Sequence, residues 1–201
     1  MSSHPVEKNS AIDLQQGRRD FFKQSGLMTL GVLAATSLIN VSNATAAPQK
    51  AIATSTSEDI AILNVALALE HQAIAAYQIG AESGLLSKAV LDVAVKFQTQ
   101  HKAHASVLTD TIEKLGGRAV AAKKPNEYGF PVGTLKSQSD VLHFAAGLEK
   151  GAASAYLGAV PAFHNKDLAK AAASILGDET MHWAILLNAL GEDPVPDAFI
   201  S

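Results

Sequence analysis

Six side chains of the kinds that bind metal cations recur along this chain in a fixed order. Glu70 comes first, then His101 with His104, then Glu149, then Glu179 with His182. Each pair is spaced i, i+3, which places both side chains on one helical face, one turn apart. A four-helix bundle that houses two carboxylate-bridged ions needs one Glu from each of two helices. From each of the other two it needs a Glu-x-x-His pair, all pointing inward. The chain supplies that order with one departure: its first pair is His-x-x-His.

A faint internal repeat carries the same set. Glu70 is followed seven residues later by Tyr77, and Glu149 seven later by Tyr156, with Ala-rich sequence between. These segments are offset by 79 residues, while His101 to Glu179 and His104 to His182 are offset by 78. Two helical hairpins related by a pseudo-two-fold axis would bring all six groups to one centre.

Helix signals are clear around these positions. Ser57-Glu58-Asp59 reads as the capped start of a first helix, whose apolar spacing persists to Gly84. A second runs from about Leu86 to Leu115 and stops at Gly116-Gly117. Residues 116–137 carry Gly, Pro and an aromatic pair, Tyr128 and Phe130, without a period, and read as a connection. Ser139-Asp140 begins a third helix reaching about His164, and Lys166–Leu190 forms a fourth, closed by Gly191. The expected organisation is therefore a linker at 47–57, a bundle at 58–193 and a tail at 194–201. A roughly 20-residue connection is long for a compact domain. Extended, it reaches about 66 Å, against about 39 Å for a 26-residue helix. One long crossover between helices two and three distinguishes this connectivity from a simple up-and-down bundle.

Composition fits an all-α domain. Hydrophobic residues make up 48%, largely Ala and Leu, and aromatics only 5%. Cysteine is absent, which excludes disulfides and thiolate metal sites. A net charge of −3 offers no basic footprint for nucleic acid.

The start of the chain reads as an address. Gly17-Arg18-Arg19-Asp20-Phe21-Phe22-Lys23 precedes a mildly apolar run from Leu27 to Val41, and Ala44-Thr45-Ala46 offers small residues for cleavage. Residues 1–46 resemble a twin-arginine (Tat) signal peptide. That resemblance implies the Tat machinery as a partner and a periplasmic or otherwise exported destination. The apolar run is shorter than the ~20 residues of a spanning helix, so no stable membrane insertion is expected after cleavage.

Residues 58–193 resemble the ferritin-like superfamily, the four-helix di-iron carboxylate proteins, in its exported bacterial branch. Glu179-Thr180-Met181-His182 matches the second Glu-x-x-His in full, Glu70 and Glu149 match the single-Glu positions, and His104 matches the first-pair His. The resemblance implies iron, one or two ions, held by Glu70, His101, His104, Glu149, Glu179 and His182. Manganese, zinc and copper are the alternatives. It also implies redox chemistry with oxygen or peroxide, or else a non-catalytic, metal-sequestering envelope protein; a homodimer stays open. Tyr77 and Tyr156 would take either a catalytic redox role or the plainer one of core aromatics with a hydrogen-bonding tip.

His101 stands where the family has a bridging Glu. An imidazole brings no negative charge and does not bridge as a carboxylate does, so the expected site is more asymmetric, weaker for the second ion, or tilted toward a single iron, zinc or copper. A register shifted by one turn, with Gln98 and His101 as the pair, is the alternative. His71, His143 and His164 read as surface or helix-end groups, and Trp183 as packing.

Overall fold

The computed structural model describes residues 46–200, and the twin-arginine segment lies outside them. Among the described residues the fold has four α-helices: α1 (Ala46–Glu82), α2 (Lys88–Lys114), α3 (Gln138–Ala159) and α4 (Lys166–Leu190). Single 3-10 turns punctuate the connections at Pro125–Glu127, Val132–Thr134 and Val160–Ala162. The described residues contain no strand, and the architecture is an all-α four-helix bundle.

Local chemistry sets most boundaries. Ser137 and Asp140 form a reciprocal capping box on α3, with the Ser137 hydroxyl accepting from the Asp140 amide and the Asp140 carboxylate accepting from the Ser137 amide. Asn165 caps α4 by accepting from the Asp167 amide at 2.8 Å. Gly191 ends α4 at φ 76°, a left-handed position that a side chain would strain.

The start of α1 differs from the sequence expectation. The helix begins at Ala46, so residues 47–57 are helical rather than a linker, and Ser57 does not cap. Its hydroxyl bonds back to the Thr54 carbonyl, as Ser55 and Thr56 bond to that of Ile52. A helix-interior hydroxyl satisfied this way no longer interrupts the helix, which is how a cap-like Ser-Glu-Asp lost its meaning. Asp59 instead serves a distant turn. It is buried and accepts from the amides of His164 and Asn165, which tie the entry to α4 onto α1.

The direction of each helix follows from contacts at the bundle ends. The Ser87 amide donates to the Gln138 side chain, so α2 and α3 start at the same end and run parallel. The residues between them therefore return along the length of the bundle. Asn64 holds that crossover by pairing with the backbone of Arg118 and Val120, and His71 meets the Val120 carbonyl at 3.2 Å. Farther on, Phe130 stacks with Tyr128 and packs edge-on against Phe144 of α3. α1 pairs with α2, and α3 with α4, as two hairpins.

Two apolar clusters fill the interior. One gathers Leu63, Leu67, Leu108, Ile112, Tyr156 and Phe163; the other gathers Tyr77, Ala94, Phe97, Leu142, Ala146 and Leu186. The buried polar groups Glu70, His101, Glu149, Glu179 and His182 come from positions along the helices between these clusters.

Candidate metal centre

Each helix contributes to this layer through the side chains its inward face dictates: Glu70 from α1, His101 and His104 from α2, Glu149 from α3, Glu179 and His182 from α4. Glu70, Glu149, Glu179, His101 and His182 are at most 2% exposed. Leaving water costs a carboxylate several kcal/mol, so three converging ones require compensation from cations or protons.

Two groups of candidate ligands emerge, and they overlap. Glu70, His101, His104 and Glu179 present atoms within 4.8 Å of one another, and so do His101, Glu149, Glu179 and His182. Glu179 and His101 belong to both. Glu179 turns Oε1 toward His104 Nδ1 at 3.2 Å and Oε2 toward His182 Nδ1 at 3.7 Å. His101 likewise uses both ring nitrogens: Nδ1 lies 2.9 Å from Glu70 Oε2, and Nε2 lies 3.2 Å from Glu149 Oε1. The imidazole thus lies between the two half-sites, where the sequence offered it to one side only.

The tyrosines cross between hairpins. Tyr77 of α1 donates to Glu149 Oε1 of α3, and Tyr156 of α3 donates to Glu70 Oε1 of α1 at 2.6 Å. Each hydroxyl engages one carboxylate oxygen. The other oxygen faces the histidines: Glu70 Oε2 lies 3.5 Å from His104 Nδ1, and Glu149 Oε2 lies 3.5 Å from His182 Nδ1.

Several buried atoms in this layer lack a hydrogen-bond partner: His104 Nδ1, His182 Nδ1, Glu149 Oε2 and both oxygens of Glu179. Buried polar atoms are paired in the great majority of cases, and unpaired ones call for a specific reason. All five belong to the two ligand groups, and a cation is the partner that would satisfy them together. The donor set, three carboxylates and three imidazoles, suits first-row transition ions.

Protons balance the charges in the metal-free protein. Burial alone would lower His101, but hydrogen bonds to Glu149 and Glu70 raise it to about 10. Burial likewise opposes His104, while Asp178, Glu179 and Glu70 lift it to about 11. His182 is also raised, by Glu149 and Glu179 against its burial. Glu70 falls below the usual carboxylate range because His101 and His104 outweigh burial, and Glu149 falls because His101 and His182 do. Glu179 goes the other way: burial outweighs its histidines and raises it. Burial, then the facing carboxylates, push both Tyr77 and Tyr156 well above the usual phenol value.

Two supporting residues escaped the sequence reading of the site. Asp178 places Oδ2 3.2 Å from His104 Nε2 and 3.7 Å from His182 Nε2, and Gln100 meets His182 Nε2 at 3.0 Å. Both histidines therefore turn Nδ1 inward and are held from behind at Nε2, which fixes ring orientation. The i, i+4 spacing of Asp178 and His182 was the available signal. Gln98 bonds to Ile74 and Gln78 and stays outside the ligand groups, so the one-turn-shifted register does not describe this layer. His71 meets the crossover, His143 pairs with Glu192 and His164 with Glu58, all away from the centre.

Residues 58–192 match the model of the ferritin-like domain family. The chain belongs to the ferritin-like family. Its fold is similar to that of a conserved hypothetical protein from Mycobacterium tuberculosis, with 25% identity and a TM-score of 0.61 over 72% of this chain and 99% of that one. A ferritin-like, diiron-carboxylate protein from Bacillus anthracis str. Ames is similar in fold at 21% identity and a TM-score of 0.55, over 68% of this chain and 97% of that one. No curated protein matches this ferritin-like chain.

Proposed function

We propose that the protein binds one or two transition-metal ions, iron foremost, and performs redox chemistry with oxygen or peroxide after Tat-dependent export. The supporting observation is the set of five buried ligand atoms that make no hydrogen bond and converge in two groups sharing Glu179 and His101. Glu70 with His104 would hold one ion, Glu149 with His182 the other. The diiron-carboxylate description of the Bacillus neighbour favours iron over zinc or copper.

A bound ion pair of this kind supplies redox electrons and a place for an oxidant to bind. The chain supplies the rest. Tyr77 and Tyr156 fix one oxygen of each terminal carboxylate, and Asp178 and Gln100 hold the imidazoles at their outer nitrogens. Burial keeps bulk water from the layer, and Glu179, which turns one oxygen toward each half, is the carboxylate placed to span the two ions.

Metal analysis of protein matured through its native export route tests this reading, followed by a peroxide-consumption assay. Bound iron with peroxide turnover supports it. Bound metal without turnover leaves a sequestering protein, and the absence of any tightly bound transition metal overturns the proposal.

A further inference from the structure

Around Tyr77 lies an apolar cavity of about 270 Å³, lined by Ala, Val, Leu and Ile side chains of all four helices together with Phe144. Native interiors hold few voids larger than a water molecule. An apolar void of ~150 Å³ already stays dry and takes up benzene. Scaling from six carbons in that volume, this one accommodates about ten. No charged side chain lines it, and besides Tyr77 the one polar side chain on its wall is Asn188. Exposed Ile185, Ala89 and Asn188 on its wall mark the side that reaches solvent.

Tyr77 has two faces. Its ring contributes to the cavity wall, while its hydroxyl bonds Glu149 and its ring lies 5.4 Å, centre to centre, from His101. A molecule filling the cavity is therefore one aromatic ring away from the candidate metal centre. We propose that this cavity is a binding chamber for a neutral aliphatic molecule of about ten carbons. A carboxylate or ammonium would enter without a counter-charge, which the lining penalises. Any small polar end stays at the mouth beside Asn188. That the occupant is the substrate of the centre rests on the metal reading; that it binds does not.

1-Octanol is a suitable probe, and the chain's single tryptophan a suitable reporter, because Trp183 packs against the same apolar cluster. The expected result is saturable binding of one octanol per chain, seen as a change in Trp183 emission and confirmed by calorimetry. Val90→Phe and Ala145→Leu each fill the cavity from a different helix. Both should weaken octanol at least about tenfold while keeping the parent melting temperature or raising it. Metal content, measured on the same preparations, should be unchanged in both. Glu179→Ala should lose metal and keep octanol, so a chamber without a metal centre remains recognisable. Non-saturable uptake, or undiminished affinity in both filled variants, overturns the proposal. So does a concentration-dependent dimer that the filled variants abolish, since a second copy would then be the occupant.

Discussion

The α1–α2 and α3–α4 hairpins carry the same parts, yet only one of them is complete. Each brings a Glu to the centre, a Tyr seven residues on that reaches across to the other hairpin's Glu, and a His whose Nδ1 faces inward. At the fourth position the second hairpin has Glu179 and the first has His101. Both side chains face both half-sites, so the difference lies in charge rather than in reach. On the proposed metal reading, three ligand carboxylates in place of four would leave a second ion more weakly held than the first. At an effective dielectric of 20, a unit charge pair 4 Å apart is worth about 4 kcal/mol, partly offset by the desolvation of the extra carboxylate.

The largest expected effect comes from the complete hairpin. Glu179→Ala removes the carboxylate common to both groups and should weaken the first ion roughly 100- to 10,000-fold, the scale of 3–5 kcal/mol for breaking a buried charge contact. Inductively coupled plasma mass spectrometry after dialysis against a chelator would read it. Retention of metal would mean that the halves do not share this residue.

Proton competition gives the next effect. His101 and His104 titrate near 10 and 11 in the metal-free protein instead of 6.5, so ions must displace protons and affinity should climb as pH rises through the neutral range. Metal-free stability has the opposite trend. A raised folded value contributes fully below 6.5 and is lost as pH rises toward 10, and the raised Glu179 acts in the same direction above 4.5. The lowered Glu70 and Glu149 contribute above 4.5 and lose their contribution as pH falls. Melting curves from pH 5 to 10 should decline toward alkaline pH without metal and stay flatter with it. A metal-free melting temperature that rises over that range would contradict the charge balance.

Smaller changes probe the supports. Asp178→Asn keeps the shape behind His104 and His182 but removes the charge, and should cost about 10- to 100-fold in metal affinity. Tyr77→Phe and Tyr156→Phe should each cost only a few-fold in metal affinity, since each releases a single carboxylate oxygen. If the two differ strongly in affinity, the hairpins are less equivalent than their hydrogen bonds indicate.

Much of this was legible in the chain. The order of Glu70, the His pair, Glu149 and the Glu-x-x-His of α4 determines one inward face on each helix, and the 20-residue gap indicated the crossover. What escaped is instructive. Ser57 carries every local sign of a cap, but a helix has a second way to satisfy a hydroxyl, and α1 continues back to Ala46. Asp59 looked like a first-turn acid and is instead a long-range anchor for the α4 entry, a contact 105 residues away that no local pattern encodes. Asp178 was hidden beside a more obvious neighbour. Its part depends on which side of His104 it meets, and that is set by how α2 and α4 pack. The orientation of His101 is likewise tertiary: sequence gives an imidazole, and only the four-helix geometry gives it two sides.

The most direct test of the missing fourth carboxylate is a competitive iron(II) titration of the parent and of His101→Glu, counting ions per chain. The parent should bind one ion tightly and the second ~10- to 1,000-fold more weakly, and His101→Glu should bring the two affinities together at a stoichiometry of two. Two equally tight ions in the parent, or an unchanged titration in the variant, would contradict the account.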